Sequence, residues 1–429
     1  MSVKFASLRG MKRIITIATG TEIMLGQTLD QDFQYMAQEL AKIGCPVSRH
    51  YGVGDDPEEL RYVFSDAVHQ ADIIILTGGL GPTTDDLTRD VVSEVLHLPL
   101  KLDQEILNDL MNKFKVRGLE FVECNRQQAF VLQGAQIIPN KIGTAPGMHL
   151  EYQGKKIFLL PGPPFEFQPM FKRGVIPKIK DLSDLDSIRF LTFRTFGIRE
   201  SEVQQLMNGL FHQEPSFLKG LGYCSAPEGV DIRVSAKEKD WGFIEPMIHR
   251  VEEGLKPWIY GKDDQSLHEV TAQLLIKNKK TLSVAESCTG GLLSQRLTRF
   301  PAVSEVFKLG IVVYSNTSKV ELLNVSEKDL NQWGAVSEVV ALQMAQGIRD
   351  KGGTDLGLSI TGIAGPAGGT AEKPVGLVWI GCHNGKKGEA VSFNFLGTRE
   401  VIQFKASQAA LDIVRRVLVG ASINPSGVT

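Results

Sequence analysis

The run Asp72-Ile-Ile-Ile-Leu-Thr77 is short, apolar and rich in β-branched residues, and it breaks directly into a glycine turn. A run with no polar alternation suits a parallel strand covered on both faces, so helices must flank it. The sequence before it supplies them. Arg13–Ala18 (Arg-Ile-Ile-Thr-Ile-Ala) reads as a first buried strand, and Phe33, Met36, Ala37, Leu40 and Ile43 recur at helical spacing over Asp30–Ile43. Gly44 suits the left-handed position that closes such a helix. A second strand near Val47–Tyr51 leads to Asp56-Pro57-Glu58-Glu59, a helix start with a cap, a proline at the first position and a glutamate at the third. This alternation predicts a right-handed βαβ sheet with helices on both faces. Ligands collect at the carboxyl ends of strands in such sheets, where Gly20–Gln27 and Gly78–Asp86 both fall.

The turn itself carries chemistry. Gly78, Gly79 and Gly81 permit close backbone turns and expose N–H groups that suit a phosphate. Asp85 and Asp86, with the hydroxyls of Thr83, Thr84 and Thr88, are hard oxygen ligands suited to a divalent cation. The same residues also suit a solvated loop with an aspartate capping the next helix. No Gly-Lys-Ser/Thr follows, so the turn is not a P-loop, and Gly-Gly-x-Gly is not the dinucleotide-binding spacing.

A chain of 429 residues implies two or three domains. Net charge is −2, with no basic excess to point to nucleic acid. No apolar run approaches the roughly 18 residues of a membrane span, and no signal-peptide core stands at the N-terminus. Five scattered cysteines without Cys-x-x-Cys suggest neither a disulfide framework nor a zinc site, so a reduced, cytoplasmic setting is expected.

From about residue 174 to 262 the pattern changes. Ile188–Phe196 reads as a strand, Arg199–Leu210 as a helix, Gly220–Cys224 and Val230–Ser235 as paired strands, and Glu245–Leu255 as a helix. Val230, Ile232 and Val234 alternate inward, and Gly261-Lys-Asp-Asp-Gln265 reads as a linker. Beyond it, helix Ser266–Asn278 and strand Thr281–Ala285 lead to Glu286-Ser287-Cys288-Thr289-Gly290-Gly291, a hydroxyl-rich turn at a helix N-terminus and a natural phosphate site. Strand Leu309–Tyr314 precedes Ser315-Asn-Thr-Ser-Lys319, and strand Leu356–Ile360 runs into Thr361-Gly362-Ile-Ala-Gly-Pro. On residue type alone, Ser304 suits a helix cap and Lys319 a solvated helix position. Cys288 is either a thiolate activated beside a helix N-terminus or a small packing residue. Arg399, opening the last helix, is unfavourable for the helix dipole unless it meets an anion.

Whole blocks resemble a known family. Thr77-Gly-Gly-Leu-Gly-Pro-Thr-Thr-Asp-Asp86 is similar to the signature of the CinA family, whose first domain is related to the molybdopterin-binding MoaB/MogA proteins. Asn125-Arg-Gln-Gln-Ala129, Gly143-Thr-Ala-Pro-Gly147 and Leu159-Leu-Pro-Gly-Pro-Pro-Phe-Glu166 follow in the family's order. Ala285-Glu-Ser-Cys-Thr-Gly-Gly291, Val313-Tyr-Ser-Asn316, Gly334-Ala-Val-Ser-Glu338 and Gly362-Ile-Ala-Gly-Pro366 resemble its C-terminal nicotinamide mononucleotide (NMN) deamidase domain.

The resemblance implies an α/β protein of three domains: a MoaB-like three-layer αβα domain at 1–173, a small α+β KH-like linker domain at 174–262, and an αβα deamidase domain at 263–429. The middle segment lacks the Gly-x-x-Gly loop of RNA-binding KH folds, so a structural or dimer-forming role is expected there. The implied activities are hydrolysis of NMN to nicotinate mononucleotide and ammonia, and metal-dependent cleavage of ADP-ribose to AMP and ribose 5-phosphate. For the amidase, Ser304 is the implied nucleophile, with Lys319 and Tyr314 near it and Ser287, Thr289, Gly290, Thr361, Gly362 and Arg399 around the substrate. For the pyrophosphatase, Asp85 and Asp86 would hold Mg, Mn or Co. Gly78, Gly79, Gly81 and Asn125 would line the nucleotide, and Glu22 or Glu166 would orient water. Two departures stand out: the family usually has Asn at Asp32, and often Met where Phe167 follows Glu166. Nucleotides are the expected partners, with neither nucleic acid nor membrane, and a homodimer is the expected assembly. The rival readings are a molybdopterin-binding or adenylating module before a non-catalytic C-terminal domain, and a scaffold linked to DNA uptake. No basic stripe supports the scaffold.

Overall fold

The structure, a computed structural model, describes residues 12–181 and 188–423. The chain divides into two compact units: one reaches to Phe190 and includes Ala236–Gly242, the other comprises Leu191–Ser235 and Phe243 onward.

In the first unit a six-stranded sheet runs in the order Val47–Val53, Ile14–Thr19, Ile73–Thr77, Lys155–Leu160, Gly147–Tyr152, Gln136–Ile138. The first four strands are parallel, and the last two are antiparallel to their neighbours. Both Ile14–Thr19 and Ile73–Thr77 are buried at every position. Alternate side chains enter two different cores. Ile15, Ile17, Ile74 and Leu76 pack with Leu60, Phe64 and Val92, whereas Ile14, Ile73 and Ile75 pack with Met36, Leu40 and Phe171. Three αβα layers result, because a strand apolar on both faces must be covered on both.

Local signals act where expected. Asp56 caps the helix Pro57–Gln70 by accepting from Glu58 N and Glu59 N, and Gly44 follows the helix Gln31–Lys42 at φ 75. The antiparallel strands were not foreseen as a pair. Tyr152 and Lys155 are joined through Gln153 and Gly154, both at positive φ, the backbone that closes a tight hairpin. The helical run from Pro164 continues to Lys180, past residue 173.

The second unit begins with a four-stranded antiparallel sheet in which Val230, Ile232 and Val234 point inward. Gly261 and Lys262 are not linker: Ile259–Lys262 pairs with Ile188–Thr195 as the sheet's edge. A five-stranded sheet follows, ordered Phe307–Val312, Leu282–Glu286, Leu356–Gly362, Leu377–His383, Gly388–Asn394, the first three parallel. Ala285 packs with Met344 and Ile348 on one face, and Val284, Leu358 and Ile360 with Ala406 and Ala410 on the other.

The last helix, Arg399–Leu418, joins the two sheets of this unit. Asp412, 2% exposed, accepts from Arg415 Nε at 2.7 Å and Arg416 Nε at 2.5 Å, and Arg416 donates onward to Pro257 O at 2.9 Å. Removing one partner of such a cluster leaves buried charge uncompensated. Asp412→Ala is expected to destabilise this unit by about 3–5 kcal/mol in urea unfolding. A change below about 1 kcal/mol would mean that the arginines reach water without it.

Candidate functional site

The first cleft opens at the carboxyl ends of the parallel strands in the N-terminal unit. It encloses about 500 Å³, within the range of small-molecule pockets. Gly78 (φ 96) and Gly79 (φ 65) bend the chain there, and a Cβ on either would overlap Thr19 O or Thr88 Oγ1. The loop is held from behind. Thr88 Oγ1 donates to Gly78 O at 2.9 Å, and the buried Arg89 donates to Leu80 O at 2.7 Å and Gly81 O at 3.0 Å.

Two expectations for this loop need correction. Gly78 N already bonds Leu160 O, and Gly81 N bonds Asp86 Oδ1 at 2.7 Å, so two of the three glycine amides are not free for a phosphate. Asp86 also accepts from Thr83 N at 2.8 Å and from Thr83 Oγ1, so its carboxylate locks the turn. Asp85 is exposed on the rim. Glu22 and Glu166 line the cleft, and Glu166 accepts from Asn140 Nδ2 at 2.7 Å. Asn125 does not line it: it is buried in a 3-10 turn, where its Oδ1 accepts from Gln128 at 3.4 Å. Phe167 is a core residue stacked on Phe171, so its difference from Met is one of packing.

Asp30, Asp32 and Asp55 also line the cleft; sequence reasoning had singled out Asp32 as a charge change bearing on phosphate or metal binding, but had not placed Asp30 or Asp55 there. Among the described residues no lysine, arginine or histidine lines the cleft, although Asp30 pairs with His50 Nε2 at 3.1 Å. Among the described residues, no three His, Cys, Asp or Glu side chains stand close enough to share an ion. A cleft lined by carboxylates and by no basic residue suits a cation whose remaining ligands are substrate oxygens and water, the usual condition of Mg²⁺.

The second site lies at the carboxyl end of the five-stranded sheet. Parallel register sets Glu286 beside Val312 and Ile360, which gathers Ser287, Val313-Tyr314 and Thr361 at one edge. Lys319 comes from the helix Asn316–Leu323, whose cap Ser315 accepts from Ser318 N. Only 1% exposed, it places Nζ 3.1 Å from Ser287 Oγ, 2.8 Å from Val313 O and 3.5 Å from Tyr314 O. Burial pushes this amine below the ordinary lysine range, and no carboxylate forms an ion pair with it among the described residues.

Ser304 is not brought to Lys319. It lies exposed in the turn Val303–Glu305, just before the strand Phe307–Val312, whose Phe307 pairs with Leu282 and Val312 with Glu286. Ser304 therefore sits at the amino end of the sheet and Ser287 at the carboxyl end, a strand's length of roughly 20 Å apart. The serine that meets the lysine is Ser287.

The helix N-terminus after Ser287 is not open to a phosphate either. Glu286, fully buried, accepts from Gly291 N, Leu293 N, Ser294 N and Ser294 Oγ at 2.7–3.0 Å. Thr289 is 3% exposed and its hydroxyl has no partner among the described residues. Gly290 supplies the left-handed step at φ 61. Thr361 Oγ1 is committed to Ala335 O at 2.8 Å, and Gly362 packs against Val378. Cys288 packs in the core, where burial pushes its thiol up to about 12, leaving it protonated at neutral pH. Arg399 donates to Gly365 O at 2.7 Å and to the exposed Tyr314 hydroxyl at 3.0 Å. Both partners are neutral, so its charge is available to an anion.

Residues 15–181 match the probable molybdopterin binding domain family, 191–261 the KH domain family of damage-inducible protein CinA, and 264–418 the CinA C-terminal domain family. A putative competence-damage inducible protein of Caldicellulosiruptor saccharolyticus is 40% identical over 407 residues, covering 94% of this chain and 98% of its own. A CinA-like protein of Dictyoglomus turgidum is 41% identical over 405 residues, with coverage of 94% and 98%. A crystal structure of a competence-damaged protein (CinA) superfamily protein from Escherichia coli is 32% identical, with a TM-score of 0.34, over 35% of this chain and 88% of that one. No helix among the described residues is long and apolar enough to cross a membrane. With three domain families in order and identity sustained over almost its whole length, the chain belongs to the CinA family.

Proposed function

We propose that the C-terminal domain hydrolyses the carboxamide of NMN, with Ser287 as nucleophile and Lys319 as its base. The contact between Ser287 Oγ and Lys319 Nζ carries this reading. A neutral amine has two N–H donors and one lone pair, and Lys319 has two carbonyls and one hydroxyl around it. Val313 O and Tyr314 O take the donors, and the lone pair faces the Ser287 proton. Desolvation favours that neutral state.

In the reaction Ser287 Oγ attacks the amide carbon and its proton passes to Lys319 Nζ. The tetrahedral oxyanion needs a donor, and the unpartnered Thr289 hydroxyl is the candidate. Collapse returns the proton from Lys319 to the leaving nitrogen, releasing ammonia, and water then frees nicotinate mononucleotide from the acyl-serine. Arg399, steadied by Tyr314, supplies positive charge for the nucleotide phosphate.

For the N-terminal cleft we propose hydrolysis of the diphosphate of ADP-ribose. A wall of carboxylates with no basic residue in the lining repels a diphosphate unless a cation is bound with it, and Asp85, exposed on the loop, is the residue that would hold one beside the turn that Asp86 locks. Such an ion would neutralise the diphosphate and polarise a phosphorus for attack by water. Gly79 keeps the backbone low enough for that approach, and Glu166, fixed by Asn140, is positioned to orient the water.

Ser287→Ala and Lys319→Ala are each expected to lower ammonia release from NMN on the order of 10³-fold, with the double variant scarcely worse, since the two act as one unit. Ser304→Ala should keep most activity. Full turnover by Ser287→Ala would sink the assignment. Because Lys319 works deprotonated, the wild-type rate should fall on the acid side, along a limb below the ordinary lysine range.

Chelation is the test of the other site. EDTA should stop ADP-ribose hydrolysis while ammonia release from NMN continues. Loss of both activities, or of neither, would contradict a metal confined to the N-terminal cleft.

A further inference from the structure

The turn that opens at Ser287 is closed by Gly290 N, which donates to Ser287 O at 3.2 Å. The amides around it are committed in turn. Ser287 N donates to Ile360 O and Leu292 N to Thr289 O, while Gly291 N, Leu293 N and Ser294 N all go to the Glu286 carboxylate. Within Ser287–Ser294 that leaves the amides of Cys288 and Thr289, which meet no acceptor among the described residues. Cys288 is 5% exposed and Thr289 3%, and buried N–H groups without a partner are rare in folded chains. Both belong to the turn and not to the helix Leu292–Thr298, whose N-terminus Glu286 already fills. A serine opening such a turn can bond the amide two residues on through its own hydroxyl, so these amides lie within reach of Ser287 Oγ. That hydroxyl is engaged with Lys319 instead, at 3.1 Å.

The peptide between these two amides is held from the last helix. Gln403 Nε2 donates to Cys288 O at 2.7 Å. Across a planar trans peptide the carbonyl and the following N–H point in opposite directions. Fixing Cys288 O on the helix side therefore turns the Thr289 N–H away from that helix. Arg399 and Gln403 stand one helical turn apart on the same face of Arg399–Leu418. One rigid element thus carries both the guanidinium that meets Tyr314 and Gly365 and the amide that clamps the serine turn.

We propose that Gln403 is a positioning residue of the amidase: by clamping Cys288 O it aims the Thr289 amide, together with that of Cys288, at the oxyanion formed when Ser287 adds to the carboxamide. This inference rests on the reading of Ser287 as the nucleophile. Attack by Ser287 Oγ on the amide carbon moves the C=O π pair onto oxygen, and N–H donors held in advance receive that charge without reorganising. They join the Thr289 hydroxyl, which is also unpartnered. The ground-state carboxamide carries little charge on that oxygen, so the clamp acts on turnover and not on binding. Gln403 works through the peptide and not on the substrate.

Gln403→Met removes the donor and keeps the length of the side chain. In the full chain it is expected to lower kcat for ammonia release from NMN by about 10–100-fold, with KM within about twofold of wild type. Gln403→Arg, which returns an N–H to Cys288 O, should recover most of that loss. Wild-type kcat in Gln403→Met, an equal change in KM, or a loss that Gln403→Arg leaves in place would overturn the proposal. A pyridine boronic acid, with boron where the carboxamide carbon stands, gives a reading that does not depend on NMN. Ser287 Oγ adds to boron, its proton passes to Lys319, and a boron hydroxyl takes the place of the oxyanion. The tetrahedral adduct, followed by boron NMR, should form in wild type, be missing from Ser287→Ala and be weakened about 10–100-fold in Gln403→Met. An adduct of equal strength in wild type and Gln403→Met overturns the clamp even where NMN is turned over. An adduct weakened in that way, with no ammonia released from NMN, overturns the NMN reading and leaves the clamp standing. Neither ammonia nor adduct from wild type overturns both.

Discussion

Strands with no polar face govern this chain. Ile14–Thr19, Ile73–Thr77 and Leu282–Glu286 are buried at every residue, and Leu356–Gly362 at all but its last. Helices must therefore cover both faces of each sheet, and no functional group can reach solvent from the middle of a strand. Chemistry is confined to the carboxyl ends, where the backbone leaves the sheet and its side chains become free to differ. Thr19, Thr77, Ser287 and Thr361 are all placed by that single constraint. The two units share it and diverge only in the loops that follow: a glycine turn edged by carboxylates in one, a serine turn backed by a lysine in the other.

Burial at those ends decides which groups are neutral. Lys319 and Cys288 are within two residues of the same serine, in space or in sequence, and desolvation acts oppositely on their reactivity. A buried amine that loses its proton gains a lone pair and becomes a base. A buried thiol that keeps its proton, as Cys288 does, is inert. What separates the serine from its neighbouring cysteine is therefore electrostatic rather than positional. Asp412 marks the contrasting case, a carboxylate held in the interior by hydrogen bonds from two guanidinium groups and given a structural task.

Local chemistry was legible in the sequence, and long-range pairing was not. Asp56, Gly44 and the isoleucine runs each act through neighbours within a few residues, so the N-terminal layers could be anticipated. The Ser287–Lys319 contact spans 32 positions and depends on three strands lying parallel in one register. Ser304 sits nearer in sequence to Lys319, but the intervening strand carries it to the far end of the sheet. Glycines suggest open amides, yet whether an amide is open depends on what lies opposite: Leu160 takes that of Gly78, and Asp86 that of Gly81. Likewise the serine turn looks like an anion site until Glu286, one residue before it, folds under and fills the helix N-terminus.

Asp32 looked in the sequence like a change of charge in a phosphate-binding domain, since Asn is the usual residue of the family there. The hydrogen bonds around it alter that reading. Asparagine would offer Nδ2 to Thr77 Oγ1 and leave Thr77 free to bond Pro161 O. A protonated aspartic acid does both with the same shape. The substitution is conservative while the proton stays on, and disruptive once it leaves. Burial, partly opposed by the Thr77 hydrogen bond and reinforced by the Asp30 carboxylate, pushes the Asp32 carboxyl up to about 7. An aspartate can therefore occupy an asparagine's position with the same hydrogen bonds to Thr77, at the expense of tying them to the proton concentration.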